Sequence, residues 1–187
     1  GLIYEEGKYI IRDINKAIHY YTLAANQNNS YAQWYLGFIY QNGEYVTRDI
    51  NKAIHYYTLA ANQNNSYAQF SLGVIYFNYK TVPGYIKKGI YLITLSAING
   101  CIKSNFHVGF FNHEGVYMKR DINKAIHYYK EASSFNNQYA KNNLGIIFKK
   151  GYKDEVAKNL GLSIEYFKEA IRQKNDEVSM YNLAHLY

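Results

Sequence analysis

Twenty-two consecutive residues, Arg12–Gln33 (RDINKAIHYYTLAANQNNSYAQ), recur unchanged at Arg48–Gln69, an offset of 36 residues. A chain that copies itself at such a period builds one supersecondary unit several times and buries each copy against its neighbours. The register continues through Gly37, Gly73, Gly109 and Gly145, and through Lys16, Lys52, Lys88 and Lys124. One further copy, Tyr166–Ala170 against Tyr128–Ala132, is displaced by 38 residues, which puts two extra residues between Gly151 and Asn159. Loops absorb such insertions at little cost. With 187 residues and 48% hydrophobic content the chain can bury a core, and we read residues 1–187 as a single array of about five units.

Each unit contains two helical patterns. In the first, Ile14, Ala17, Ile18, Tyr21, Ala24 and Ala25 recur at helical spacing behind Asp13, a residue suited to cap a helix N-terminus. We call this helix B. In the second, Ser30 with Gln33 three positions later reads as a capping box, followed by Leu36, Gly37, Ile39 and Tyr40 until Gly43 ends the segment. This is helix A. A single Pro in the whole chain leaves both free of breakers, so the chain is all-α. A glycine inside a helix costs about 1 kcal/mol relative to alanine, so four in register need a packing reason. We expect Gly37 to let helix A approach Ala24 or Ala25 of helix B.

The pattern Ala32…Leu36-Gly37…Tyr40…Gly43, then Asp49…Lys52-Ala53…Tyr56-Tyr57…Ala60-Ala61, resembles the Sel-one-like repeat, a relative of the tetratricopeptide repeat. The resemblance implies a right-handed α-solenoid of two-helix repeats that serves as a scaffold or adaptor for other proteins. The third unit departs from the pattern. Tyr79 replaces the loop glycine, Pro83 enters the loop, Gly84-Tyr85 replaces Arg-Asp, Gly89 replaces alanine and Val108 replaces leucine, so a local distortion is expected at 79–89. The segments Gly1–Tyr4 and Met180–Tyr187 match parts of a helix A without a polar cap. The chain therefore reads as a segment of a longer array, able to self-associate through Leu2, Ile3, Leu183 and Leu186.

Chemistry-bearing patterns are sparse. His19, His55 and His127 share one position on helix B, but stacked helices lie about 10 Å apart, too far for neighbouring rows to share a metal. Cys101 is the only cysteine, and no nucleophile elbow, P-loop or dinucleotide fingerprint occurs. Neither a cofactor, nor a metal site, nor catalysis is expected. The pairs Glu5-Glu6 and Asp176-Glu177 fall near helix ends and suit capping or solvation. Two sequons, Asn28-Asn29-Ser30 and Asn64-Asn65-Ser66, arise readily by chance in a chain with many asparagines. The longest near-apolar run, Ile90–Ile102, falls short of the roughly 20 residues of a membrane span. The compartment stays open.

Recognition is better sought where the units differ. One column of helix A reads Trp34, Phe70, Phe106, Asn142, Tyr181, and the next reads Phe38, Val74, Phe110, Ile146, His185. The resemblance implies that the A helices line the concave face, and Trp34, Phe38, Phe70, Val74, Phe106 and Phe110 are the candidate partner-binding residues there, since rigid aromatics anchor protein interfaces. The alternative is that these rings fill gaps between units. Net charge of +7, with Lys16, Lys52, Lys88 and Lys124 joined by Arg12, Arg48 and Arg120, leaves a nucleic-acid-binding solenoid as a second reading. Identical units could hardly spell a base sequence. A third reading is a regulatory domain attached to an enzyme outside the segment.

Overall fold

Three copies of the motif Arg-Asp-Ile-Asn-Lys start helices in the same way. Asp13, Asp49 and Asp121 stand in extended backbone and accept the N–H of Lys16, Lys52 and Lys124 at 3.0, 3.0 and 2.9 Å. The computed structural model describes residues 13–115, 117–174 and 176–186. Leu2, Ile3, Glu5-Glu6, Arg12 and the Gly1–Tyr4 segment lie outside the described residues.

The described residues form ten helices: α1 (Ile14–Asn26), α2 (Ser30–Asn42), α3 (Ile50–Asn62), α4 (Ser66–Asn78), α5 (Tyr85–Ile98), α6 (Ile102–Glu114), α7 (Ile122–Ser134), α8 (Gln138–Lys150), α9 (Leu160–Lys174) and α10 (Glu177–Ala184). Odd-numbered helices are B helices and even-numbered ones are A helices. Among these residues the only strand-like pairing is an isolated bridge between Tyr152 and Val156. The chain divides into two compact units, Gly1–Gly100 and Cys101–Tyr187.

The start of helix A differs from expectation. Asn29, Asn65 and Asn137, not the residue after each, are the caps, accepting the N–H of Ala32, Ala68 and Ala140 at 2.9, 3.0 and 2.9 Å. The preceding Asn28, Asn64 and Asn136 take left-handed backbone with φ near 60°, which turns the chain one residue earlier than a Ser30 cap would require. Gln33 is thereby freed from capping and points inward. At the other end Gly43 adopts φ +70° and closes α2 as anticipated.

The register glycines also meet a different partner. A Cβ on Gly37 would lie 2.6 Å from the ring of Tyr57 in α3, the helix that follows, rather than against Ala24 or Ala25. Gly109 meets Tyr129, and Gly145 meets Phe167, at the same distance. Helix A therefore nests on the next helix B, with a fully buried ring lying over each glycine. Leu36 and Leu144, wholly buried one residue before their glycines, each contribute about 1.5–3 kcal/mol of burial.

In the third sequence repeat Ile93 replaces the ring. There Gly89 sets its own backbone against that of α4, where a Cβ would lie 2.6 Å from the nitrogen of Phe77 and 2.7 Å from the oxygen of Gly73. The neighbouring loop is local in its departure as well. Tyr79 ends α4 without left-handed backbone, and Gly84, at φ +80°, starts α5 without a side-chain cap.

Candidate functional site

The helix-A columns occupy two depths. In the first unit Trp34 is half-buried against the cluster around Tyr57, and its Nε1 donates to Ser71 Oγ at 3.3 Å. Its ring stands 4.8 Å from Tyr35, 5.2 Å from Tyr67 and 6.3 Å from Phe38. Phe38 and Tyr67 are 43% and 45% exposed, whereas Phe70 and Val74 are half-buried. The second unit repeats the arrangement by itself. Phe106 packs half-buried on the cluster around Tyr129, its centroid 6.0 Å from both Tyr129 and Tyr139. Phe110 is 38% exposed and Tyr139 60%. The column thus supplies a seated ring, and a neighbouring exposed ring comes from the second helical position of the next helix A.

Tyr67 and Tyr139 escaped the sequence reading because Tyr31, Tyr67 and Tyr139 repeat with the scaffold and look like framework. A second layer also escaped it. Gln33 is buried, donating to Ala25 O at 3.2 Å and accepting from Gln63 Nε2 at 2.7 Å. Gln69 repeats this with Ala61 O at 3.4 Å and Asn99 Nδ2 at 2.9 Å. At the corresponding position of the second unit Lys141 is buried and pairs with Glu169 at 3.4 Å. The two glutamines bridge successive B helices through the A helix between them, and Lys141 ties α8 to α9. They fix the base from which the aromatic columns project, since buried polar groups tolerate only the geometry that satisfies them. Two identical glutamines immediately before the variable column were the available signal.

The basic and imidazole rows are surface features. Lys16, Lys52 and Lys124 pair with the capping aspartates at 3.5, 4.0 and 3.4 Å, in exposed positions. Lys88 instead lies 4.4 Å over the Tyr76 ring and reaches its hydroxyl at 3.3 Å. His19, His55 and His127 are exposed beside Tyr20, Tyr56 and Tyr128. Among the described residues no group of His, Cys, Asp or Glu side chains could hold a metal ion. No helix of the described residues is long and apolar enough to cross a membrane.

The loop carrying the two-residue insertion organises the second unit. Glu155 reaches back to accept the Ile122 N–H at 2.9 Å, and Tyr152 Oη lies 2.8 Å from Nε2 of the buried His113. Arg120 and Lys150 sit 5.3 and 5.0 Å from the Tyr152 ring. Burial holds the His113 pKa below the ordinary histidine value. Lys150 and Arg120 act in the same direction, and Glu114 opposes them.

A family model of the Sel1 repeat matches residues 1–29, 30–65, 66–100, 102–134 and 138–175. The chain belongs to the Sel1 repeat family. Each of the second to fifth matched segments runs from helix A to the following helix B, the pair that the glycines nest together. The fold is accordingly an α-solenoid of five Sel1 repeats. A Sel1 repeat protein from Oxalobacter formigenes is similar over the whole chain and 75% of its own, with 27% identity and TM-score 0.81. Helicobacter pylori cysteine rich protein B is 25% identical over 74% of this chain and 98% of its own, with TM-score 0.52. A protective antigen of uropathogenic Escherichia coli with the same fold is 22% identical across the whole chain and 47% of its own, at TM-score 0.57. Comparison with curated proteins finds no match. Sel1 repeat proteins are generally protein-interaction scaffolds and typically non-catalytic.

Proposed function

We propose that this Sel1 repeat chain binds a segment of a partner protein, helical or extended, on the aromatic columns of its A helices. The supporting observation is the seating of Trp34. Its lower edge is fixed by Ser71 and the Tyr57 cluster, while Phe38 and Tyr67 beside it stay open to solvent. An aromatic ring already immobilised loses little entropy when a partner covers it, which is the character of an interface anchor. Phe70 and Val74 continue the columns in the first unit, and Phe106 with Phe110 provides the equivalent patch in the second. An immunity protein from Pseudomonas aeruginosa shares the fold at 14% identity and TM-score 0.56, and it lends support to the fold alone.

The test begins with affinity capture and cross-linking of a partner. Phe38→Ala and Phe110→Ala remove exposed rings without opening the core. Each should weaken binding about tenfold or more with an unchanged thermal midpoint. Replacing Lys16, Lys52, Lys88 and Lys124 by alanine should alter mainly the salt dependence. If the lysine set alone abolishes binding, the acidic-partner or nucleic-acid reading replaces this one.

A further inference from the structure

Between segment 117–121 and loop 151–159 of the second unit lies a cleft of about 540 Å³, lined in part by Met118, Lys119, Arg120, Asp121, Lys124 and Glu155. Its two carboxylates are committed to backbone. Asp121 accepts the Lys124 N–H at 2.9 Å and pairs with Lys124 Nζ at 3.4 Å, while Glu155 accepts the Ile122 N–H at 2.9 Å. Lys119 and Arg120 are exposed, and among the described residues neither has a hydrogen bond or ion pair. The equivalent Arg48 behaves differently, its Nε donating back to Gln41 O at 3.1 Å. Arg120 instead lies against Tyr152, its charge flanking a cleft that is lined by Met118, itself 38% exposed.

We propose that this cleft binds an acidic segment of a partner protein, its carboxylates meeting Lys119 and Arg120 and its apolar residues meeting Met118. Arginine donors in a fork match a carboxylate in two parallel hydrogen bonds. Glu155 and Asp121 already take the Ile122 and Lys124 N–H groups at the start of α7, so an incoming carboxylate is left to Lys119 and Arg120. A nucleic-acid backbone fits less well, because it carries no aliphatic side chains to meet Met118 beside the two cations. The proposal rests on the protein-binding reading but uses different residues from the helix-A columns.

The experiment titrates the full chain into a fluorescein-labelled ten-residue peptide of alternating Glu and Leu. Its Gln-for-Glu analogue and a single-stranded RNA of equal length serve as comparisons. The acidic peptide should bind and the Gln analogue should not. Lys119→Glu and Arg120→Gln should each weaken binding about tenfold or more, with the thermal midpoint unchanged for Lys119→Glu. Lys52→Glu, which changes net charge equally but lies in the first unit, should have little effect. Equal affinity in wild type and Lys119→Glu, tighter binding of RNA than of peptide, or no peptide binding overturns the proposal. Any of these leaves the helix-A reading standing, since that is measured on Phe38 and Phe110 with a captured partner.

Discussion

The pairs α2–α3 and α4–α5 meet the same constraint, a glycine in the middle of helix A, in two different ways. In α2–α3 the ring of Tyr57 lies across Gly37 and Ala53 stands one turn before it. In α4–α5 the ring is reduced to Ile93, and Gly89 removes the last Cβ, bringing backbone against backbone. A smaller side chain alone would leave a cavity. The two changes together restore close packing, which interiors require. The repeat thus conserves contact rather than any one residue, and a paired substitution can look in sequence like two defects. The pair α8–α9 offers a third solution, where Ser163 holds the alanine position and its hydroxyl donates to Gly145 O at 2.8 Å.

The largest effect should come from Gly89→Ala, because its Cβ would strike Phe77 N and Gly73 O, and backbone cannot move aside. We expect a loss of about 3 kcal/mol in urea unfolding at constant m-value. A loss below that of Gly37→Ala would break the comparison. Ile93→Tyr comes next. It restores the ring in a space closed by the near approach of α4 and α5, and should destabilise by about 2 kcal/mol. Combined with Gly89→Ala it should cost less than the two single losses added, because the double variant recreates the α2–α3 arrangement. Strict additivity would show that the two positions are not coupled. Gly37→Ala should cost less, about 1–2 kcal/mol, since its Cβ meets side-chain atoms of Tyr57 rather than backbone, although that ring is buried and its hydroxyl is held by Gln41.

The smallest effect separates equivalent positions of the two units. Gln41 accepts from Tyr57 Oη at 2.8 Å and does not titrate, whereas His113 at the same register bonds Tyr152 Oη at 2.8 Å. Since burial lowers the folded-state pKa of His113, the unfolded chain binds the proton more readily. Its contribution is therefore complete above about pH 6.5 and is lost as pH falls below that value toward the folded pKa. His113→Gln should flatten the fall in thermal midpoint across this window. His107, whose pKa burial also lowers, preserves a residual slope. An unaltered slope in the variant would remove His113 from the account.

Much of this was legible in the residues. Period, helix identity, the Asp caps, the Gly43 stop and the loop insertion at 151–159 follow from spacing and local chemistry, which act within a few residues. The glycine partner was misassigned because Ala25 and Tyr57 both suit a close crossing, and only the stacking of helices chooses between them. The Asn29 cap was missed because Asn and Ser are about equally good caps, so that the left-handed Asn28 decides. Gln33–Gln63, Lys141–Glu169 and His113–Tyr152 join residues about thirty to forty apart, and no local rule pairs them.

Trp34 is the only tryptophan in the chain, so partner binding on the helix-A columns can be read at a single side chain. With a captured partner added, its emission should shift to the blue and become protected from acrylamide, as Phe38 and Tyr67 are covered with it. Trp34 fluorescence and quenching that stay unchanged at saturating partner would contradict binding on the helix-A columns.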